Sequence, residues 1–281
     1  MTLPAKNPNP IPEEEDEVAA SAAPLLDHLT ELRSRLIVCL AAIAIAFAIC
    51  FLFSRQIFNI LIVPFSEAVK TVNAGKEPTL YFAPLEFFFT QVRLSVFAAI
   101  VAAFPVLAWQ AYAFIAPGLY KREKKAAAPF LIAMPVLFSL GAMLVYFVMM
   151  PFIMRFAVGF EAQGEGPDGA ARFELLTRVG DYLSLTTTLI LTFGFSFQLP
   201  VFLTLLARAG YVTAEMLVKF RRFAIVGIFV VAAVLTPPDP FSQIVLGLCI
   251  MALYELSVVS VRLAEKKAKA KAVADEAAIG A

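Results

Sequence analysis

Six stretches of this 281-residue chain contain no Lys, Arg, Asp or Glu, and that sorting of charge constrains the fold more than any other feature. The stretches run from Leu36 to Phe53, Leu94 to Tyr120, Ala126 to Met154, Tyr182 to Ala207, Phe223 to Pro238 and Phe241 to Tyr254. About 20 mostly apolar residues suffice to cross a hydrocarbon core as a helix. Hydrophobic residues make up 60% of the chain and charged ones 16%, well under the roughly 25% charged of soluble domains. The expected fold is therefore an all-α integral membrane protein. Its spans are expected at about 35–54, 88–111, 126–152, 181–207, 222–237 and 241–261. Recurrent prolines in or beside the spans, such as Pro105, Pro135, Pro151 and Pro200, predict six kinked helices that together form a concave wall.

The remaining charges set an orientation. If the N-terminus is cytoplasmic, sixteen of the Lys and Arg residues fall in inside segments and six in outside ones, with Arg93 at the outer end of the second span. Basic residues favour the cytoplasmic side, so both termini are expected there. Residues 1–24, rich in Pro and acid and without a basic start or apolar core, read as a disordered cytoplasmic tail rather than a signal peptide. The membrane domain then covers 25–262, followed by a charged cytoplasmic tail at 263–281. The outside loops, roughly 55–86 and 155–180, are long enough to fold as periplasmic caps. The last two runs are separated only by the turn around Pro237–Pro240, which predicts a tight hairpin of two short spans. Sixteen helical residues cover about 24 Å, less than a core of about 30 Å.

Several function classes lose support at once. The net charge of +1 offers no bulk attraction for nucleic acid. A single histidine, His28, excludes a multi-His metal site, and no cofactor motif is present. Cys39, Cys50 and Cys249 lie in apolar runs without paired spacing. Gly194-Phe195-Ser196-Phe197-Gln198 starts like a nucleophile elbow but lacks its final glycine, which disfavours an intramembrane protease and enzymes generally. A small-molecule or ion transporter is the rival reading. It would need charge at midplane, and Arg93 and Glu255 lie toward span ends.

What polar chemistry remains gathers on the cytoplasmic side. The segment Asp27-His28-Leu29-Thr30-Glu31-Leu32-Arg33-Ser34-Arg35 places leucines at spacings of three and four, as an interfacial amphipathic helix does. Glu31 and Arg35, four apart, can pair. Between the second and third spans lies FIAPGLYKREKK, in which Glu123 is a single acid among four bases.

Together, HLTELRSRL, FIAPGLYKREKK, FGFSFQLP and LTPPDPFSQ resemble the TatC family, the multispanning receptor of the twin-arginine translocase. The resemblance extends from about Leu25 to Arg262. It implies a receptor that binds signal peptides carrying consecutive arginines and assembles with TatA- and TatB-type single-span partners, several copies together, in the bacterial inner membrane. It implies that Glu31 and Glu123 form the arginine-recognition site. His28, Arg33, Lys121, Phe114 and Tyr120 would surround them. Two carboxylates in one pocket suit this, because a guanidinium matches a carboxylate in a fork that Lys cannot reproduce. The family often carries Glu where this chain has Gln198, which leaves a neutral polar contact rather than a proton carrier. Thr236 and Gln243 match positions associated with partner docking, and Pro64, Pro117 and Asp239 read as structural.

Overall fold

The computed structural model describes residues 13–72, 78–115, 124–162, 177–208, 210–235 and 240–279. These residues form the helices α1 (Glu13–Leu52), α2 (Ser54–Val72), α3 (Glu86–Ile115) and α4 (Lys124–Leu144). A π-helical turn (Val145–Met149) leads into α5 (Met150–Ala162). The chain continues with α6 (Val179–Ser196), α7 (Leu199–Arg208), α8 (Ala214–Leu235) and α9 (Pro240–Ile279). Among the described residues, five stretches are long and apolar enough to cross a membrane: Leu29–Leu52, Glu86–Phe114, Leu131–Gly159, Val179–Arg208 and Gln243–Lys267. They match the expected first, second, third, fourth and sixth spans. The expected fifth span falls in α8, whose first half carries Glu215, Lys219, Arg221 and Arg222. Those charges confine its apolar part to Phe223–Leu235. At the ends, α1 begins inside the acidic stretch assigned to a tail, and α9 continues as helix through the charged C-terminal stretch to Ile279.

Two of the long spans are interrupted, each beside a proline. Pro151 has no N–H for the carbonyl four residues back. Just before it the backbone shifts to a wider turn, and the Met150 N–H donates to the Val145 carbonyl five residues back. Pro200 likewise cannot serve Ser196. The chain turns at Phe197–Gln198, where the Gln198 N–H bonds to Phe195 at 3.0 Å, and α7 starts at Leu199. Each of these interruptions therefore has a chemical cause at a named proline.

The main core joins α2, α3, α5 and α6, with Phe65, Leu94, Met150, Leu183, Leu189 and Phe193 all nearly inaccessible. Where α4 meets α6 the approach is close because two glycines allow it. A Cβ on Gly141 would lie 2.8 Å from the Phe193 carbonyl oxygen, and one on Gly194 would lie 2.5 Å from the Phe138 ring. Phe138 is itself stacked on Phe104, with centroids 4.1 Å apart. Elsewhere large apolar side chains are exposed along whole helices, as expected when the solvent is lipid rather than water. In α1, no residue between Leu29 and Leu52 is buried, and the helix packs almost wholly against α3.

The expected outer caps take a definite form. The amphipathic helix α2 lies on α5. Pro64 inside α2 deprives the Ile60 carbonyl of its helical donor. The Tyr146 hydroxyl, presented by the π-helical turn, donates to that carbonyl at 2.7 Å. The buried Tyr182 hydroxyl donates to the neighbouring Leu61 carbonyl at 2.7 Å. After α2, Tyr81 bridges to the segment before α6: its N–H donates to Thr177 at 3.1 Å, and its carbonyl accepts from Val179 at 2.9 Å. Glu86 ties the same corner by accepting from the backbone of Ala83 at 2.8 Å and Gly180 at 3.2 Å. Between α3 and α6, this corner opens into a cavity of about 470 Å³ lined by Glu86, Thr90, Arg93, Asp181, Ser184 and Thr187.

Candidate functional site: the α1–α3 carboxylate cluster

Glu31 stands on α1 in the turn before the uncharged run begins. Its partner is set by helical geometry: residues four apart share a face, residues two apart do not. Arg35 donates to Glu31 Oε1 through Nε at 3.0 Å and also through Nη2. The guanidinium reaches across to α3 as well, donating from Nη1 to Gln110 Oε1 at 3.2 Å. Arg33, expected around the site, is exposed. Glu31 Oε2 accepts no hydrogen bond from any described residue.

Gln110 was not singled out from sequence, where it looked like one more polar residue near a span end. The available signal was its spacing. It lies four residues before Phe114, so both share the α3 face, and Phe114 is half-buried. Contact with Arg35 near the C-terminal end of α3, together with packing along the length of α1, makes the two helices antiparallel. The result is a cluster in which a half-exposed carboxylate, a guanidinium and an amide link the two helices at one end of the molecule.

The other expected site residues fall as follows. His28 lies on α1, its side chain outside the described residues. Pro117, Tyr120, Lys121, Glu123, Thr236 and Asp239 also lie outside the described residues. Gln243 is half-buried in the first turn of α9, and Pro64 is buried in α2. Gln198 sits in the turn between α6 and α7. Its Nε2 donates to the Met134 carbonyl of α4 at 2.9 Å, so this amide does join two helices. Its Oε1 is buried and has no hydrogen-bond partner among the described residues.

The expected hairpin of the last two spans is well tied where it is described. Arg221 of α8 donates to Glu255 of α9 at 2.7 Å, and the Tyr254 hydroxyl donates to the Leu217 carbonyl at 2.7 Å. Glu265 accepts from the Ala214 N–H at 2.8 Å, capping the first turn of α8 with the carboxylate a helix N-terminus favours.

Fold and cluster thus define a multispanning, all-helical membrane protein with a polar cluster linking two of its helices at one end. Residues 27–248 match the family model of the Sec-independent protein translocase protein (TatC). The chain is 42% identical over 255 residues to the Sec-independent protein translocase protein TatC of Magnetococcus marinus, covering 91% of this chain and 90% of that protein. It is 36% identical over 237 residues to the protein so named in Escherichia coli K12, covering 84% and 86% respectively. A crystal structure described as a twin arginine translocase receptor, TatC, superimposes with a TM-score of 0.72 at 33% identity, covering 85% of this chain and 99% of that one. A second, of the receptor in DDM, gives 0.70 at 32% identity, with 83% and 99% covered. The chain belongs to the TatC family.

Proposed function

We propose that this chain is the signal-peptide receptor and core subunit of a twin-arginine translocase in the bacterial inner membrane. It crosses that membrane six times with both ends in the cytoplasm. The sixteen-to-six distribution of Lys and Arg supports the orientation. In this reading the basic first half of α8 sits at the cytoplasmic interface, and Phe223–Leu235 makes a short crossing of about 20 Å. Bilayer thinning accommodates such a crossing.

The observation that carries the receptor role is the state of Glu31. One of its oxygens already holds a guanidinium side-on while the other accepts nothing from a described residue. Arg35 thus acts as an internal stand-in for a signal arginine. Consecutive arginines of a precursor take its place, one at Glu31 and one at Glu123. Arg35 is then left to Gln110, so that α1 and α3 stay joined. The apolar part of the signal enters along the concave side toward Gln198. TatA- and TatB-type helices dock at the α8–α9 edge near Thr236 and Gln243, several copies forming the working assembly. No step of this role is enzymatic.

The test is site-specific crosslinking of the full chain in membranes to an Arg-Arg signal peptide and to its Lys-Lys variant. The native chain is expected to prefer Arg-Arg. Glu31→Gln removes a charge-assisted contact worth about 1.5–3 kcal/mol, so it should weaken Arg-Arg capture by roughly tenfold or more. Equal capture of both peptides by the native chain, or undiminished capture by Glu31→Gln, would end the proposal.

A further inference from the structure

Away from the α1–α3 cluster, α4, α7 and α9 enclose an open groove of about 380 Å³. Its walls are mostly apolar, with Ala133 and Leu137 of α4, Val201 of α7, and Leu256 and Leu263 of α9, and they include the hydroxyls of Thr204 and Ser260. Two cations line it as well, Arg208 and Lys267. Their position is informative: Arg208 closes the uncharged run Tyr182–Ala207, and Lys267 stands in the charged stretch that follows the apolar part of α9 from Arg262 onward. They also stand at the same end of the groove. Glu265 holds the Ala214 N–H at 2.8 Å, and Ala214 is six residues beyond Arg208, so the end of α7 lies beside the Glu265–Lys267 turn of α9. From Arg208 back to Val201, the α7 wall descends about 10 Å, and from Lys267 back to Leu256 the α9 wall descends about 16 Å. An apolar slot of that depth, crowned by two cations just past the apolar runs, has the charge and polarity pattern of one phospholipid seen end-on. Basic pockets between membrane helices at the boundary of the bilayer take anionic head groups.

We propose that this groove is a binding site for an anionic diacyl phospholipid, with its phosphate between Arg208 and Lys267 and an acyl chain along Leu263, Leu137 and Leu256. This occupancy is separate from the signal-peptide role and stands or falls independently of it. A lipid wedged here fills the seam joining α4, α7 and α9, and so ties the fourth and sixth spans together.

The experiment uses the full chain purified in detergent, with dioleoylphosphatidylglycerol or dioleoylphosphatidylcholine added, and retention read by native mass spectrometry. Each interfacial cation contributes about 1 kcal/mol toward an anionic lipid, so Arg208→Gln with Lys267→Gln should weaken phosphatidylglycerol retention about thirtyfold and leave phosphatidylcholine unchanged. Leu263→Trp, which blocks the slot, should weaken both. Equal retention of the two lipids by the native chain, or displacement by inorganic phosphate alone, would overturn the proposal. A photocrosslinking residue at Leu263 gives a readout that does not depend on the charge variants folding. Capture of phosphatidylglycerol in membranes supports the site. Capture of a second copy of the chain or of another protein's helix would overturn it.

Discussion

The contact between Tyr146 and Ile60 can be tested as an exchange of donors. In wild type, Pro64 has no N–H, so the Ile60 carbonyl depends on the Tyr146 hydroxyl at 2.7 Å. Tyr146→Phe leaves that carbonyl unpaired. An unsatisfied acceptor costs about 1–3 kcal/mol, and the lower half of that range applies because this contact is exposed at the edge of the protein. Pro64→Ala supplies a backbone N–H in register with Ile60. In that background Tyr146→Phe removes a second bond from an oxygen already satisfied and should cost about 0.5 kcal/mol. The two changes should therefore couple by about 1 kcal/mol in a double-mutant cycle. The assay is SDS-driven unfolding from mixed micelles, followed by fluorescence of Trp109, the single tryptophan of the chain. Additive effects, with coupling below about 0.3 kcal/mol, would show that Tyr146 does not substitute for the donor that Pro64 lacks.

The glycines give a prediction of opposite signs under the same assay. Gly141→Ala sets a methyl group 2.8 Å from the Phe193 carbonyl oxygen, which cannot move aside, and should destabilise by about 1–3 kcal/mol. Gly227→Ala meets nothing within 4 Å and gains helix propensity, so it should stabilise by up to about 1 kcal/mol. Loss of stability from both would refute the close-approach explanation. Leu85 adopts φ of 67° just before α3, a region that costs a non-glycine residue about 1–2 kcal/mol. Leu85→Gly should therefore leave stability unchanged or raise it, and a loss above about 1 kcal/mol would show that the exposed Leu85 side chain itself holds the corner.

How far the amino-acid sequence carries the reader depends on what kind of force places each residue. The spans at Leu29–Leu52, Glu86–Phe114, Leu131–Gly159, Val179–Arg208 and Gln243–Lys267 were legible because a bilayer excludes charge over a length that the chain itself displays. In α8 the same rule falls short, since Lys219, Arg221 and Arg222 occupy the helix that an apolar run of marginal length continues. The prolines announced interruptions, but not their form. Nothing near Pro151 distinguishes a π-helical turn from a simple bend, and nothing at Tyr146 points to a carbonyl 86 residues away.

The cluster at Glu31 divides along the same line. Helical period alone predicts Arg35 as its partner, and the structure agrees; Arg33, which the motif resemblance places around the site, is exposed. Gln110 was out of reach because its contact with Arg35 joins residues 75 apart, and packing of α1 on α3 decides which of the polar residues near the end of α3 comes opposite. The motif located the acid, the helical period supplied its guanidinium, and the tertiary fold chose the amide beside it. At the exposed Arg33, replacement by Lys keeps the positive charge that favours the cytoplasmic side and should be tolerated. Arg35 should not tolerate it, because a single ammonium cannot span Glu31 and Gln110 with the planar fork that now joins α1 to α3.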